Sequence, residues 1–205
     1  NGAGKSTLIN IASGVYKPDE GQILLEGKEV VLNRCSDAQE MGIVTVFQDL
    51  ALVDGRDLAS NIFLGREPTR GIVVNYQAMV REALIIMHKV THNVPPPRQL
   101  VGSMSGGQRQ AVALSRALSQ PGRLIFMDEP TAALGVRESR KVLDLILSLK
   151  EEGCSVVIAS PNLRHVFPVA DRIAVLRGGR SVGIRNTCDT NYEEITKLIV
   201  GAEML

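Results

Sequence analysis

The chain has 205 residues, a formal net charge of +1 at pH 7, and only 3 % aromatic residues with no tryptophan. This length suits one domain, or one domain with an inserted subdomain, and it allows a substantial core. Because the charges are interspersed and aromatic side chains are rare, the composition argues against binding to nucleic acid. The cysteines are scattered and no apolar run reaches the length of a membrane span, so we expect reduced thiols, as in a cytosolic protein, and no secretory signal.

The first seven residues read Asn-Gly-Ala-Gly-Lys-Ser-Thr and fit the second half of the phosphate-loop pattern G-x-x-x-x-G-K-[ST]. Glycines allow a tight turn whose N–H groups face phosphate oxygens, and the helix that follows adds the positive end of its dipole. Lys5 is expected to contact the β- and γ-phosphates of a nucleotide, and the Ser6 hydroxyl to ligate Mg²⁺. The candidate phosphate-binding residues are Asn1, Gly2, Ala3, Gly4, Lys5, Ser6 and Thr7.

The match at 1–7 has an alternative explanation, and it covers only part of the phosphate-loop pattern. A glycine-rich turn before a helix that begins with lysine is the alternative, because short motifs also match by chance. The first glycine of the pattern would lie two residues before Asn1, so we expect the chain to be N-terminally incomplete.

Up to residue 47 the pattern alternates between helix and strand. A helix is predicted over 6–12, a hairpin over 22–25 and 29–32, and a buried strand over 43–47 that leads directly to Gln48. Ser36, with Gln39 three residues later, predicts a capping box for a short helix between them.

From 49 to 118 the character changes to helices and loops. Asp57 is predicted to cap a helix over 58–64, and an apolar stripe at helical spacing predicts a second helix over 76–87. Prolines at 95–97 force an extended connection, and a third helix is predicted from Gly106 to about 119.

The alternating pattern resumes beyond 119. Strands are predicted at 124–127 and 155–159, helices at 137–150 and 162–169, and a hairpin over 173–176 and 181–184. Thr190 and Glu193 predict a second capping box, for a last helix that ends at Gly201. The alternation of strands and helices predicts a mostly parallel α/β core.

Two carboxylates, Asp128 and Glu129, directly follow the predicted strand 124–127. They would lie at the carboxyl edge of a parallel sheet, where α/β folds bind ligands. We expect Asp128 to hold the Mg²⁺ shell and Glu129 to orient and polarise an attacking water. The alternative is a pair of solvated acids at the start of a loop.

A second anion site is predicted at 104–110, which reads Met-Ser-Gly-Gly-Gln-Arg-Gln. A serine and two glycines at a helix start offer a hydroxyl and backbone N–H groups to phosphate. Two such sites in one chain are explained by a two-fold dimer, in which the second site of one subunit closes over the nucleotide held by the other. The residues expected to do so are Ser105, Gly106, Gly107 and Gln108.

The phosphate loop, the Ser-Gly-Gly-Gln-Arg-Gln run at 105–110 and the Asp-Glu-Pro-Thr run at 128–131, in this order, resemble the ATPase subunits of ATP-binding-cassette transporters. The resemblance implies a P-loop NTPase, an α/β fold with a RecA-like core over 1–48 and 119–205 and an inserted helical subdomain over 49–118. It also places Gln48 at the family's glutamine loop, which links Mg²⁺ and the attacking water to the membrane subunit, and 133–135 at the loop that touches the other subunit. The runs at 46–52, 61–67 and 131–136 are similar to bacterial sugar importers of the ribose, xylose and fructose kind.

Three positions depart from the family pattern. Met104 replaces the usual leucine, a volume-conserving change that we expect to be tolerated. Gly135 stands where many relatives have aspartate. Pro161 stands where the family has its switch histidine, and proline has no donor with which to contact the γ-phosphate. His165 lies about 6 Å further along a helix, too far for a simple replacement.

The resemblance implies a subunit that binds ATP and Mg²⁺ and hydrolyses ATP to drive sugar uptake, with Glu129 and Gln48 as catalytic residues and Ser6, Gln48 and Asp128 at the metal. It further implies a homodimer or a paired ATPase subunit, integral membrane permease subunits, an indirect link to a periplasmic sugar-binding protein, and a peripheral place on the cytoplasmic side of the inner membrane. Two alternatives stay open. One is a catalytically impaired module in which ATP clamps the dimer, suggested by Pro161, and the other is a soluble cassette ATPase that acts on DNA or ribosomes.

Overall fold

The computed structural model describes residues 2–132 and 134–201. The chain divides into two compact units, one formed by residues 1–41 with 158–205 and the other by residues 42–157. Within the residues described, no helix has both the length and the apolar character needed to cross a membrane.

The described helices and strands alternate along much of the chain. In chain order they are α1 (Lys5–Ala12), β1 (Ile23–Leu25), β2 (Lys28–Val30), α2 (Cys35–Glu40), β3 (Ile43–Val46), α3 (Leu58–Ile62), β4 (Thr69–Arg70), β5 (Val73–Val74), α4 (Tyr76–Val90), α5 (Gly106–Leu118), β6 (Leu124–Asp128), α6 (Val136–Glu151), β7 (Ser155–Ala159), α7 (Leu163–Val166), β8 (Arg172–Arg177), β9 (Arg180–Asn186) and α8 (Tyr192–Val200), with short 3₁₀ turns at Val101–Ser103 and Thr187–Asp189.

The first unit contains α1, the β1–β2 hairpin, α2 and the C-terminal elements from α7 onward. Its C-terminal part has an apolar cluster formed by Val166 of α7, Ile173 and Val175 of β8, and Ile195 of α8. The rings of Phe167 and Tyr192 stack beside these elements with centroids 4.2 Å apart. Burial of these side chains is the main force that holds the β8–β9 hairpin against α8.

The second unit contains a three-stranded sheet in the order β3-β6-β7, although the last two residues of β7 are grouped with the first unit. Strands β3 and β6 pair in parallel, with Ile43 opposite Leu124 and Val46 opposite Met127. The apolar side chains of both strands are largely buried, as expected for the centre of an α/β layer. The parallel α/β core predicted from the sequence is therefore present.

Three helices of the same unit, α3, α4 and α5, pack against one another. Their contacts bury Leu58, Met79, Met87 and Leu114 almost completely. The small β4–β5 hairpin precedes α4 and was not predicted, because its two-residue strands are too short to show a period of two.

Helix caps were predicted with mixed success. Asp57 caps α3 as predicted, since its carboxylate accepts from the Ser60 N–H at 2.8 Å. The capping box predicted at Ser36 is wrong: the residue before α2 is Arg34, and it makes no side-chain cap. Instead, the Asp37 carboxylate accepts from the Asn33 N–H at 3.0 Å. The backbone that leads into the helix is therefore bonded to Asp37 and not to Ser36.

The second predicted capping box is also wrong by one residue. Asn191, rather than Thr190, caps α8 by accepting from the Glu194 N–H at 2.9 Å. The Thr190 hydroxyl instead donates to the Glu194 carboxylate at 2.7 Å. Asparagine is at least as good a cap as threonine, and its position one residue later sets the first turn.

Candidate functional site

The phosphate loop enters α1 through two left-handed glycines. Gly2 has φ 75° and Gly4 has φ 93°, which side-chain-bearing residues rarely adopt. Lys5 and Ser6 then form the first turn of α1, and both are half-buried. The candidate residue Asn1 lies outside the described residues.

In the part of the chain that the structure describes, no side chain caps the N-terminus of α1. Its first N–H groups therefore have no capping acceptor, which is the condition under which a helix N-terminus binds an anion. This geometry suits a phosphate group at Gly4, Lys5 and Ser6.

The turn of the β8–β9 hairpin contacts the phosphate loop from within the same unit. The Gly179 N–H donates to the Ala3 carbonyl at 3.2 Å. A Cβ atom at Gly4 would lie 3.4 Å from the Gly179 Cα, so the two backbones approach as closely as glycine allows. The hairpin turn thus supports the loop on one side.

In the second unit, the sheet brings Gln48, Asp128 and Glu129 to one edge. Because Val46 pairs with Met127 in a parallel ladder, Gln48 and Glu129 each lie two residues beyond a matched pair. Parallel strands end at the same edge, so the amide and the two carboxylates follow neighbouring strand ends. The expected position of Asp128 and Glu129 at the end of a parallel strand agrees with this ladder, which also brings Gln48 to the same edge. The catalytic roles of Gln48 and Glu129 and the metal role of Asp128 stay predictions.

Glu129 has a left-handed backbone, with φ 50°. Such a conformation costs about 1–2 kcal/mol in a residue other than glycine and is concentrated at functional sites. The next residue is held from α5, because the buried Gln110 side chain donates to the Pro130 carbonyl at 3.1 Å. Sequence reasoning gave Gln110 no role, although a polar side chain among the apolar residues of α5 is a signal for one.

The surroundings of the Asp128 carboxylate show whether this edge of the sheet fits a metal ion. Asp128 is 5 % exposed, and its Oδ1 atom is buried with no hydrogen-bond partner in residues 2–132 and 134–201. A buried carboxylate oxygen without a partner is costly, and a hydrated Mg²⁺ would satisfy it. The described residues contain no cluster of three or more His, Cys, Asp or Glu side chains. Mg²⁺ commonly takes only one or two carboxylates and completes its shell with phosphates and water, so Asp128 fits the group.

The second predicted anion site begins α5 with a capping box. The Ser105 Oγ accepts from the Gln108 N–H at 3.3 Å, and the Gln108 Oε1 accepts from the Ser105 N–H at 3.0 Å. These two N–H groups are therefore occupied. The N–H groups of Gly106 and Gly107 and the Ser105 hydroxyl hydrogen remain as donors, and Ser105 and Gly106 are exposed.

Pro161 lies exposed between β7 and α7. The next residue, Asn162, caps α7 by accepting from the Arg164 N–H at 3.0 Å. Its side-chain nitrogen also lies 3.3 Å from the Nε2 atom of His165. His165 thus contacts the residue that caps its own helix, and the expectation that it does not replace the missing histidine stays a prediction.

A buried asparagine that the sequence analysis did not identify orders the segment before α3. Asn61 is fully buried, and its amide bonds to both the N–H and the carbonyl of Val53, at 2.8 and 3.0 Å. It also donates to the carbonyls of Arg56 and Asp57. The signal in the sequence is a polar residue between the buried Ala59 and Ile62.

These features define an α/β nucleotide-binding protein, and the comparison with known families makes the class specific. The family model described as ABC transporter matches residues 1–132. The chain belongs to the ABC transporter family, and within it to the ATP-binding cassettes.

Relatives of known type within this family are ATP-binding proteins of sugar importers. The chain is 46 % identical over 199 residues to the xylose/arabinose import ATP-binding protein XylG of Sulfolobus acidocaldarius, covering 97 % of this chain and 79 % of that protein. It is 42 % identical over 211 residues to the fructose import ATP-binding protein FrcA of Rhizobium meliloti, covering 81 % of that protein. It is 41 % identical to the ribose import ATP-binding protein RbsA of Chromobacterium violaceum, but spans only 41 % of its length.

Solved structures agree on the fold. The ADP conformation of the ATP-binding cassette MJ1267 superposes with a TM-score of 0.78 and 27 % identity, over 98 % of this chain and 82 % of that chain. The dimeric, post-hydrolysis state of the cassette MJ0796 bound to ADP and Pi superposes with a TM-score of 0.77 and 25 % identity, over 90 % of this chain and 81 % of that chain. The predicted P-loop NTPase fold is confirmed.

Proposed function

We propose that this chain is the ATP-hydrolysing subunit of an importer that brings a small sugar across the cytoplasmic membrane. The observation that supports hydrolysis most is the sheet edge, where Glu129 is held in a left-handed conformation beside the buried, unpartnered Asp128 oxygen and the Gln48 strand end. The import names of XylG, FrcA and RbsA support the sugar.

The residues of this chain divide the chemistry between them. Lys5 and the N–H groups at the start of α1 bind the phosphates of ATP. Bound Mg²⁺ would neutralise charge on the β- and γ-phosphates, and Ser6, Gln48 and Asp128 would hold it. The Glu129 carboxylate orients a water molecule for in-line attack on the γ-phosphorus, and ADP leaves as the bond to its β-phosphate oxygen breaks.

The second anion site acts on a partner. Ser105, Gly106, Gly107 and Gln108 of one subunit close over the γ-phosphate held by the other, in a homodimer or with a paired ATPase subunit. Permease subunits in the membrane bind near the Gln48 loop, and a periplasmic sugar-binding protein delivers the sugar to them. The protein is peripheral, on the cytoplasmic side of the inner membrane. We retain the division into a RecA-like core, 1–48 with 119–205, and a helical subdomain, 49–118, as part of this proposal.

The test of hydrolysis compares wild type with Glu129→Gln. We expect wild type to release phosphate from ATP only with Mg²⁺, and Glu129→Gln to lose about 10²–10³ in kcat while it still binds ATP. Equal rates for the two proteins would contradict the role of Glu129. Uptake of labelled xylose, ribose and fructose into vesicles that carry the assembled transporter would test the sugar.

The metal assignment has its own test. Asp128→Asn removes the charge of the buried, unpartnered oxygen, so we expect the nucleotide-free protein to be as stable as wild type or more so. The extra thermal stabilisation that Mg²⁺ adds to ATP should disappear in this variant. If Mg²⁺ still stabilises Asp128→Asn as it does wild type, Asp128 does not hold the metal.

A further inference from the structure

The loop that follows Gln48 is fastened to α5 by one arginine. The Arg116 guanidinium donates to two successive carbonyls, from Nη1 to Ala51 at 2.8 Å and from Nη2 to Leu50 at 2.5 Å. Its planar fork matches two adjacent oxygens in a way that lysine could not. The loop backbone thus cannot shift without breaking both bonds or moving α5.

The loop is shaped to present those two carbonyls. Ala51 has φ 47°, which side-chain-bearing residues rarely adopt, and its N–H donates to the Asp49 carboxylate at 3.1 Å. This tight turn points the carbonyls of Leu50 and Ala51 at a single guanidinium. A strained backbone that serves one interaction is unlike an ordinary surface loop.

A second arginine on the same face of α5 holds the far end of the loop. Arg109 donates from Nη1 to the Asp54 carboxylate at 2.6 Å, and the Asp54 carbonyl accepts from the Gly102 N–H at 3.0 Å. Arg109 and Arg116 are seven residues apart, which is about two helical turns, so both project from one face of the helix.

The environment of Arg116 is unusual for a cation. Burial lowers the pKa of Arg116, and the nearby charge of Arg66 lowers it further. Its acceptors in the loop are neutral carbonyls, and among the described residues it has no carboxylate partner. Burial and a nearby like charge both disfavour the charged form, and the two hydrogen bonds to the loop offset that cost.

We propose that Arg116, together with Arg109, is a positioning residue that makes the Gln48 loop and α5 move as one body. Helix α5 has 13 residues, about 20 Å, and carries the Ser105 site at its start. A displacement of the loop by a membrane partner is therefore transmitted along α5 to the residues that close over the partner nucleotide. The inference deepens the proposed function and rests on it, because the displacement comes from the permease.

The chain offers a matched control. Arg66 is close enough to Arg116 for its charge to lower the Arg116 pKa, and burial lowers the pKa of Arg66 as well. However, its guanidinium bonds to Ser119 at the end of α5 and not to the loop. Arg116→Gln removes both guanidinium hydrogen bonds to the loop. Arg66→Gln removes a neighbouring arginine and leaves those two bonds in place. Arg116→Lys keeps the positive charge but cannot bond both carbonyls with a planar pair of donors.

The first measurement is hydrogen exchange on the whole protein without a membrane partner. We expect Arg116→Gln to accelerate exchange of the Ala51 and Val53 amides about 10-fold or more, and Arg66→Gln to leave them within about 2-fold of wild type. If exchange is unchanged in Arg116→Gln, the two hydrogen bonds from Arg116 do not hold the loop, and the proposal is overturned.

The second measurement is ATPase activity with and without the membrane subunits in vesicles. Arg116→Gln should bind ATP as wild type does, yet lose about 3- to 30-fold of the stimulated kcat. Arg116→Lys should fall between the two, and Arg66→Gln should match wild type. A proportional rise in the Kd for ATP, or an equal loss in Arg66→Gln, would indicate a merely structural role and overturn the proposal.

The two proposals fail in different ways. If wild type is not stimulated by the membrane subunits, the importer function fails and the transmission role falls with it, whatever the exchange data show. If wild type is stimulated and Arg116→Gln is stimulated equally, only the role of Arg116 is overturned.

Discussion

The backbone of Glu129 shows, at the scale of one residue, how a site can keep a conformation that the fold alone would not favour. Its φ of 50° belongs to glycine, yet glycine has no carboxylate with which to orient water. The conformation is held by neighbours, including the Gln110 bond to the next peptide. Stability and chemistry therefore compete at this position.

Two substitutions at this position separate the competing effects. Glu129→Gly and Glu129→Gln both remove the carboxylate, but only glycine relieves the left-handed backbone. We expect Glu129→Gly to be more stable than Glu129→Gln by about 1 kcal/mol in urea unfolding, with both inactive as ATPases. Ala51→Gly, at φ 47°, should gain stability in the same direction. Equal stabilities for the two Glu129 variants would show that the site carries no strain.

Pro161 is a second position at which we expect one residue to affect the rate of hydrolysis. Because proline has no side-chain donor, we expect Pro161→His to raise kcat by about 10- to 100-fold without changing the Kd for ATP. His165→Ala should have little effect on kcat, since that ring is paired with Asn162. If Pro161→His is no faster than wild type, hydrolysis in this protein does not depend on a donor at that position.

At the scale of elements, α3 and α4 are joined by a hydrogen bond whose acceptor, the Asp57 carboxylate, can be protonated. The Tyr76 hydroxyl donates to the Asp57 carboxylate at 2.6 Å. Partial burial raises the pKa of Asp57, but the hydrogen bonds from Tyr76 and Ser60 outweigh it, so the pKa is lowered overall. A carboxyl with a lowered pKa adds stability that is present above its unfolded value and lost as the pH falls through its folded value.

Tyr76→Phe tests this bond. We expect it to lower the free energy of unfolding by about 0.5–1 kcal/mol at pH 7, because the pair is partly exposed. The deficit should shrink as the pH falls from about 4, the ordinary value for an aspartate, through the lowered pKa of Asp57, below which the carboxyl is protonated in both proteins. The exposed Tyr16 gives the control, since Tyr16→Phe should show no such pH dependence. A deficit that is constant from pH 7 to pH 3 would contradict the assignment.

The elements also show what a sequence can reveal. Strands β3 and β6, the Asp57 cap and the Ser105 helix start are set by local patterns and were predicted. The two hydrogen bonds from Arg116 to the loop after Gln48 were not predicted, because their acceptors lie 65 and 66 residues away and nothing in the local pattern marks them. The Ser36 cap failed for a related reason: several polar residues compete at one helix start, and local spacing does not rank them.

At the scale of the whole molecule, the exposed Ser105 site implies assembly. Its remaining donors belong to Ser105, Gly106 and Gly107, and the first two are exposed. We expect this surface to be completed by a second, nucleotide-loaded cassette. The related cassette MJ0796 is dimeric in its post-hydrolysis state with ADP and Pi.

Gly107→Arg tests the assembly without touching the phosphate loop. A Cβ at Gly107 would meet Leu134 and Glu138 at ordinary distances of 3.6 and 3.8 Å, so the fold should tolerate the change. In a Glu129→Gln background, which keeps ATP intact, we expect the parent to form dimers with ATP and Gly107→Arg to stay monomeric while it binds ATP equally well. Dimers of the arginine variant at the same ATP concentration would refute the closing role of this site.

The contact between the β8–β9 turn and the phosphate loop has a practical side. An exposed Gly178-Gly179 hairpin would ordinarily be chosen for inserting an epitope or a fluorescent reporter, since such tips accept added sequence. Here the Gly179 amide is bonded to the loop that would hold the nucleotide. A reporter placed there would signal, and disturb, nucleotide occupancy. Ile72, which is fully exposed in the turn between β4 and β5, is the better place for a silent label.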